Sequence, residues 1–336
     1  MASQKNRGSA YRLQILIYSG RFVLALILFK VAPMRSIWDV ANPQLKDLKI
    51  YEPGKPIEET ARELLTAEPA HEDEPRPTLQ GHGDYVFGVF LLAVAIPDED
   101  HVYYQQIGVV ITPDTLLTVR KTPSGGRPPY DPAAVREVVR PDDSAGMIAY
   151  RIVDDLAERY LDLVDDVDGE IDELEDKVED QAAELTRLRI SDLRHDLLHI
   201  RRTLAPMRDA VRRVVMNAVE VEEGPEVFPQ EVEVAFNAAY DKLMRALDGL
   251  EFSRDLLASV RDYSQAKVAN DQNEVMKRLT VIAALLLLPT FIVGLYGQNF
   301  VDIPELRWHW GYAYVWGVIV LTTLAQLAWF KKKNWF

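Results

Sequence analysis

The most prominent hydrophobic pattern of the chain is a pair of long apolar runs near its C-terminal end. Residues 279–301 form a stretch of 23 positions without a charged side chain, and residues 310–330 form a second stretch of 21. A helix needs about 20 apolar residues to cross the hydrocarbon core of a bilayer. The pattern therefore predicts two transmembrane helices, joined by an external loop of eight residues, 302–309, in a tight hairpin.

The charges that flank the two runs indicate an orientation. Lys277 and Arg278 precede the first run and three lysines open the basic tail 331–336, whereas the loop holds one arginine against two acidic residues. Cationic residues accumulate on the cytoplasmic side of a membrane. We therefore expect a multi-pass protein of the cell membrane, inner or plasma, with both termini in the cytoplasm.

Shorter runs of β-branched and aromatic residues predict an α+β cytoplasmic domain, an α/β/α sandwich, over residues 1–131. A helix is expected at 57–65 and a loop at 120–132, because the loop segment is rich in Pro and Gly. The two residues Pro113-Asp114 separate the last two predicted strands, which indicates an antiparallel hairpin. The predicted strands are LQILIY (13–18), YVFGVFLLAVAI (85–96), YYQQIGVVIT (103–112) and TLLTVR (115–120), with a further buried strand, not a signal peptide, at 22–29.

Residues 132–278 have a helical pattern instead. Apolar residues recur at spacings of three and four among many carboxylates, which predicts a coiled-coil-like acidic helix. A break at 222–229 is followed by a run from Gln230 that meets no proline before Pro289. At 1.5 Å per residue a helix over that run is on the order of 100 Å long and is continuous with the first span as a stalk. The apolar positions of the acidic helix are Val164, Val167, Ile171, Leu174 and Val178.

Composition narrows the function classes. The formal net charge is −14, from 38 Lys and Arg against 52 Asp and Glu, which disfavours a nucleic-acid partner. The chain has no cysteine and no phosphate-binding loop of the G-x-x-x-x-G-K type, and no nucleophile and base converge in the sequence. We expect neither an enzyme nor a bound cofactor, and transport, if any, is passive.

One face of the first span is smaller and more polar than the others. Its residues recur at multiples of about 3.6, the period of a helix. Small residues on a membrane helix serve either close helix contacts or a pore lining, and the pattern alone leaves both open. A pore would require several copies, because two helices cannot enclose a water-filled path. The face carries Asn273, Met276, Ala283, Leu287, Thr290, Gly294 and Gly297.

The segment GLYGQNFVDIPELRW, residues 294–308, adds a specific resemblance. Together with the rest of 273–312 and the terminal lysines, it resembles the CorA family of magnesium transporters, in which a Gly-Met-Asn signature closes the first span. The resemblance extends more weakly to SIWDVANP (36–43) and the acidic helical region, about 300 residues in all, and residues 1–35 align poorly. It implies a cytoplasmic α/β domain, a stalk helix, two C-terminal spans and a homopentamer.

The resemblance also implies roles for single residues. Gly297, Gln298 and Asn299 would form a selectivity ring that receives a divalent cation, and hydrated Mg²⁺ is the expected ion because Mg²⁺ gives up its water reluctantly. Glu305 would attract cations to the mouth. The remaining pore and gate positions implied by the family are Asn273, Met276, Leu279, Leu287 and Thr290.

Two departures from the family pattern leave alternatives open. Gln298 replaces the signature methionine, and members with a substituted signature are associated with zinc, so a zinc, cobalt or nickel transporter is the first alternative. Ala238 stands where metal-gated members carry an aspartate before Tyr240-Asp241, so the resemblance does not imply metal sensing at that position, and other acids remain as candidates. The candidate regulatory residues are Asp241, Asp248 and Asp262.

Two further interpretations concern charged and imidazole side chains. His195 and His199 are four residues apart, a spacing that can hold Zn²⁺, but their charged neighbours are more typical of a solvated face. The acidic run 154–184 either binds cations or is the exterior of a coiled coil.

The alternative from another functional class is a membrane-anchored structural or sensory protein, which would need no polar residues at 297–299.

Overall fold

The computed structural model of the chain describes residues 17–18, 21–22, 36–41, 57–67, 76–96, 99–219, 221, 226–298 and 303–335. The chain forms two compact units. The first consists of Met1–Lys177 and Arg187–Ala258, and the second of Val178–Thr186 and Ser259–Phe336.

The first unit is built on a mixed five-stranded sheet. Its strand order is β3-β7-β6-β5-β4, with β3 parallel to β7 and all other neighbours antiparallel. A separate two-stranded hairpin, β1-β2, is the only described part of the strands predicted at 13–18 and 22–29. The strands are β1 Ile17–Tyr18, β2 Arg21–Phe22, β3 Ser36–Ala41, β4 Thr78–His82, β5 Tyr85–Ile96, β6 Glu99–Ile111 and β7 Thr115–Arg120.

The hairpin predicted from Pro113-Asp114 is confirmed. Strands β6 and β7 are antiparallel, with Ile111 opposite Leu116. The Thr112 N–H donates to the carbonyl oxygen of Thr115 over 2.8 Å, and the two hydroxyl oxygens lie 2.6 Å apart. The threonine side chains and backbones therefore close the turn on both sides.

Helix α1, Glu59–Thr66, covers one face of the sheet. Its apolar side, with Ala61 and Leu65, packs in one buried cluster with Phe87, Val89 and other residues of the strands. Two short elements follow β7: a 3₁₀ turn, Ser124–Gly126, in the predicted loop, and helix α2, Ala133–Val138. The helix predicted at 57–65 is therefore confirmed, displaced by two residues at its start.

The long helix α3, Ala145–Lys177, packs against β5, β6 and β7 and completes the α/β/α sandwich. The Tyr160 hydroxyl donates to the carbonyl oxygen of Leu91 over 2.7 Å and accepts from the Ala93 N–H over 3.3 Å. These two bonds satisfy backbone groups of β5 beyond the point where β4 has ended. The five apolar positions that predicted the acidic helix are all buried, which confirms its inward side: Val164, Val167, Ile171, Leu174 and Val178.

The acidic region is a helical hairpin and not one helix. Helix α4, Ala183–Val215, is separated from α3 by a break of five residues and contains Pro206. Sequence periodicity did not separate α3 from α4, because the break between them, residues 178–182, contains neither glycine nor proline.

Helix α5, Gln230–Tyr296, is 67 residues long and contains Pro289, as the stalk prediction requires. Helix α6, Gly311–Lys332, follows a 3₁₀ turn at Pro304–Arg307. Helix α5 ends five residues before the predicted end of the first span at 301. Lys331 and Lys332, assigned to the tail, lie in the last turn of α6, where positive charge favours the helix dipole.

Candidate functional site

The predicted pore residues lie on one helix and share one side of it. All of them are exposed within this single chain, including Leu287 with 72% of its surface accessible and Leu279 with 55%. The Thr290 hydroxyl donates to the Leu286 carbonyl oxygen over 2.7 Å and is satisfied within the helix. The residues concerned are Asn273, Met276, Leu279, Leu287 and Thr290.

The opposite side of α5 is the one that this chain covers. Val281 is 1% exposed and Ile292 is 9% exposed, in a segment whose other apolar residues are mostly accessible. At about 100° per residue, Val281 and Ile292 lie near each other around the helix axis and about 120° to 140° away from Leu287. Within the described residues, the side with the predicted pore residues is therefore not covered by this chain's other helices.

Helix α5 ends at Tyr296, just before the residues predicted to form the selectivity ring. The Gly297 N–H donates to the Val293 carbonyl oxygen over 2.9 Å, and the Gln298 N–H reaches the Leu295 carbonyl oxygen at 3.5 Å. Both residues follow the last helical residue, Tyr296, and both are exposed. Asn299 lies outside the described residues, so its predicted place in the ring stays a prediction.

Glu305, predicted to attract cations, lies in the 3₁₀ turn Pro304–Arg307 and is half-buried. Its backbone holds the turn against the start of α6: the Trp308 N–H donates to the Glu305 carbonyl oxygen over 3.2 Å, and the Gly311 N–H donates to the Trp308 carbonyl oxygen over 2.9 Å. A side chain at Gly311 would place its Cβ far inside contact distance of that same Glu305 oxygen. The need for a glycine at position 311 was not predicted from the sequence. The only signal for it there is Gly311 itself.

A polar contact that was not predicted from the sequence joins the two apolar helices. Gln326 donates from Nε2 to the carbonyl oxygen of Ala284 over 3.3 Å. The contact lies within about one and a half helical turns of Pro289, which follows Ala284 on the same helix. Gln326 is the one amide side chain in the second apolar run, and a polar residue inside a membrane helix is a signal for a specific partner.

The candidate regulatory acids are spread along α5 and do not meet within the chain. Asp241, Asp248 and Asp262 follow one another by multiples of seven residues and are exposed on one side of the helix. Asp262 accepts hydrogen bonds from its neighbour Arg261. Among the described residues, no group of three or more His, Asp or Glu is placed to hold a metal ion. A regulatory site built from these acids would therefore need a second copy of the chain.

Part of the acidic helix α3 is used inside the fold. Lys242 of α5 lies 2.9 Å from Asp154 and 2.8 Å from Glu158. Burial by itself would lower the pKa of Lys242, but the interactions of its ammonium group with the two carboxylates, which accept from it, outweigh burial, and the pKa is raised. These two acids stabilise α3 against α5 and are not free for a cation.

In the second unit, further hydrogen bonds join α5 to the turn between α3 and α4. The Lys267 Nζ donates to the carbonyl oxygens of Val178 and Glu179, and the Tyr263 hydroxyl donates to the Glu179 carboxylate. Lys267 thereby caps the turn just after α3 ends, where carbonyl groups lack helical partners. Neither residue was singled out from the sequence, because a lysine and a tyrosine on a polar helix face give no distinctive signal.

The two apolar helices satisfy the length and composition of membrane spans, and few of their residues are buried within the chain. The first of them is the end of a 67-residue helix that begins in the unit with the mixed sheet, and this combination is typical of a membrane protein with a C-terminal pair of spans. The family model described as "CorA-like Mg2+ transporter protein" matches residues 60–332. The chain belongs to the CorA family, and it is a divalent cation transporter of that family.

Individual relatives agree with this assignment. The "Cobalt/magnesium transport protein CorA" of Thermotoga maritima is 30% identical over 266 residues, which cover 77% of this chain and 73% of the relative. The "Putative metal ion transporter YfjQ" of Bacillus subtilis is 34% identical over 191 residues, 57% of this chain and 58% of the relative.

Solved structures show the same fold. The complete CorA magnesium transporter of Methanocaldococcus jannaschii superposes with a TM-score of 0.72 at 18% identity, covering 93% of this chain and 95% of the other. The cytoplasmic domain of ZntB from Vibrio parahaemolyticus gives a TM-score of 0.52 at 15% identity, covering 71% of this chain and 89% of that domain. At these identities the likeness concerns the fold alone.

Proposed function

We propose that five copies of this chain form a pore in the cell membrane that conducts hydrated Mg²⁺ passively into the cytoplasm. The observation that carries the proposal is the exposed side of α5. Its predicted pore residues face away from the side where Val281 and Ile292 are buried, and Gly297 and Gln298 lie at the end of the same helix. A ring of such helices would turn these exposed sides towards a central path that neighbouring copies enclose.

The chemistry of the ring suits a hydrated ion. Backbone carbonyls and the side-chain amide oxygens of Gln298 and Asn299 accept hydrogen bonds from the waters bound to Mg²⁺, so they can hold its water shell without removing it. Glu305, in the turn beside the mouth, adds negative charge that raises the local cation concentration. A membrane potential that is negative inside favours entry of a dication by about 4.6 kcal/mol per 100 mV, twice the value for one charge.

A second candidate substrate is Zn²⁺, with Co²⁺ and Ni²⁺. The observation that favours it is Gln298 in the position of the signature methionine. The Thermotoga relative is named as a cobalt and magnesium transport protein, which supports a pore that admits more than one divalent ion. A purely structural or sensory protein is disfavoured by membership of a transporter family.

The test is uptake of Mg²⁺, Zn²⁺, Co²⁺ and Ni²⁺ into liposomes that contain the purified protein, at fixed potential. We expect Mg²⁺ flux in the wild type and its loss in Asn299→Ala and Gly297→Ala, with an oligomer of about five chains by mass. Gln298→Met, which restores the family signature, serves as the matched variant and should keep Mg²⁺ flux.

Each other outcome has a definite meaning. Zn²⁺ flux without Mg²⁺ flux would replace magnesium by zinc as the substrate. Absence of flux for every ion from intact oligomers would contradict the transport proposal, and full flux in Asn299→Ala would contradict the selectivity ring.

A further inference from the structure

Two histidine side chains lie next to each other in the first unit, far along the chain from the proposed pore residues. His195 and His199 lie one turn apart on α4, with His195 exposed and His199 half-buried. Their Nε2 atoms are 3.3 Å apart, and their ring centroids are 4.3 Å apart. The two Nε2 atoms are therefore within hydrogen-bonding distance of each other, and the exposed His195 ring makes this point accessible from solvent.

The separation of the two nitrogens suits a shared metal ion. Zn²⁺ binds histidine nitrogen at about 2.0–2.1 Å with tetrahedral geometry, which places two such nitrogens about 3.3 to 3.4 Å from each other. The ring planes are inclined by 49°, so a modest rotation of the exposed His195 ring would aim both lone pairs at one ion.

Tyr104 holds the second ring in place. Its hydroxyl oxygen lies 2.8 Å from Nδ1 of His199, and it projects from β6, an inner strand of the sheet. A histidine that binds metal through Nε2 carries its proton on Nδ1 and usually donates it to an oxygen, which fixes the ring and its tautomer. Tyr104 supplies that oxygen from a rigid element.

We propose that His195 and His199 bind one borderline divalent ion of the Zn²⁺, Co²⁺ and Ni²⁺ class, with Tyr104 as the positioning residue. No third His, Asp or Glu joins them in the described part of the chain, so water completes the coordination and binding is reversible. Mg²⁺ does not compete, because it prefers oxygen ligands and octahedral geometry, whereas imidazole favours later transition ions. The site goes beyond the proposed pore and does not depend on it.

The experiment is a calorimetric titration of the full-length protein in detergent with Zn²⁺, in the presence of excess Mg²⁺ that saturates oxygen-ligand sites. We expect one equivalent per chain that disappears or weakens by at least about tenfold in His195→Gln and in His199→Gln. Co²⁺ should give a visible absorption spectrum of a nitrogen-ligated ion in the wild type only.

Two further variants distinguish this site from Zn²⁺ binding elsewhere on the protein. Tyr104→Phe keeps both ligands and should weaken Zn²⁺ binding roughly tenfold without changing the thermal midpoint. His82→Gln, a histidine elsewhere in the same unit, should leave the equivalent intact. The proposal is wrong if both ligand variants melt like the wild type and still bind Zn²⁺ equally well, or if Asn299→Ala in the pore removes the same equivalent.

Discussion

Gln326 donates a hydrogen bond from its Nε2 to the carbonyl oxygen of Ala284 across the pair of apolar helices, over 3.3 Å. The bond joins α6 to α5 at Ala284, which precedes Pro289 on α5. Few other polar side chains are available to the two helices, and hydrophobic burial does not drive helices together within a bilayer. Gln326 therefore fixes the position of α6 along α5.

We predict that Gln326→Leu weakens the pairing of the two helices. An interhelical hydrogen bond in a membrane is worth about 0.6 to 1.7 kcal/mol, so the thermal midpoint of the detergent-solubilised protein should fall by a few degrees. The matched control is Thr323→Val, because the Thr323 hydroxyl donates to the Ile319 carbonyl oxygen within its own helix over 2.8 Å. Equal midpoints for Gln326→Leu and the wild type would show that the bond does not position α6.

Gly311 provides a prediction about the external loop. A Cβ at this position would overlap the Glu305 carbonyl oxygen, so Gly311→Ala should displace the turn that carries Glu305. We expect reduced Mg²⁺ uptake into liposomes with the oligomer preserved, because the acidic side chain leaves the mouth. Gly317→Ala is the control on the same helix, since a Cβ there meets nothing within 4 Å. Equal reductions in both variants would refute a role for the turn.

The soluble fold could be predicted in part from local patterns. The hairpin at Pro113-Asp114 and the buried face of α3 follow from turn chemistry and from helical periodicity, both of which act over a few residues. Strand β4, Thr78–His82, was not predicted, because it contains a glycine and only one large apolar residue, Leu79. Its pairing with β5 depends on tertiary contacts that short-range patterns do not contain.

The candidate pore could likewise be predicted only in part. Periodicity places Met276, Leu287 and Thr290 on one side of a helix, and all three are exposed in a single chain, while their role in a pore stays a prediction. The roles of Gln326 and Gly311 could not be predicted, because each depends on a partner atom in a different element, on α5 in one case and in the 3₁₀ turn in the other. Such pairs become visible only when the two elements are brought together.

Lys242 provides a prediction about the acidic hairpin. It bridges Asp154 and Glu158 of α3 from α5, with only 23% of its side chain exposed. Lys242→Met should lower the free energy of unfolding by about 1 kcal/mol, because it leaves the partly buried carboxylate of Asp154, together with the exposed one of Glu158, without its cation. Urea unfolding measures this loss. The control Lys177→Met removes an exposed ion pair with Glu173 inside one helix and should lower the free energy of unfolding clearly less. Equal losses of unfolding free energy in the two variants would show that burial adds nothing to the Lys242 ion pairs.

Lys121 provides a prediction about pH. The residue is 5% exposed, its Nζ donates to the Leu64 carbonyl oxygen over 2.6 Å, and burial lowers its pKa to about 8. Between that value and the ordinary pKa of about 10.4, the unfolded chain binds a proton that the folded chain does not. Stability contributed by this group therefore rises as the pH increases from about 8 towards 10.

The measurement is the thermal midpoint of the wild type and of Lys121→Met between pH 7 and pH 10. Other groups titrate in this range, so the difference between the two proteins isolates Lys121. We expect the midpoint of the wild type to rise relative to that of Lys121→Met as the pH increases, since the variant has no proton to lose. A constant difference across the range would show that Lys121 keeps its charge when folded, with the Leu64 carbonyl as a sufficient partner.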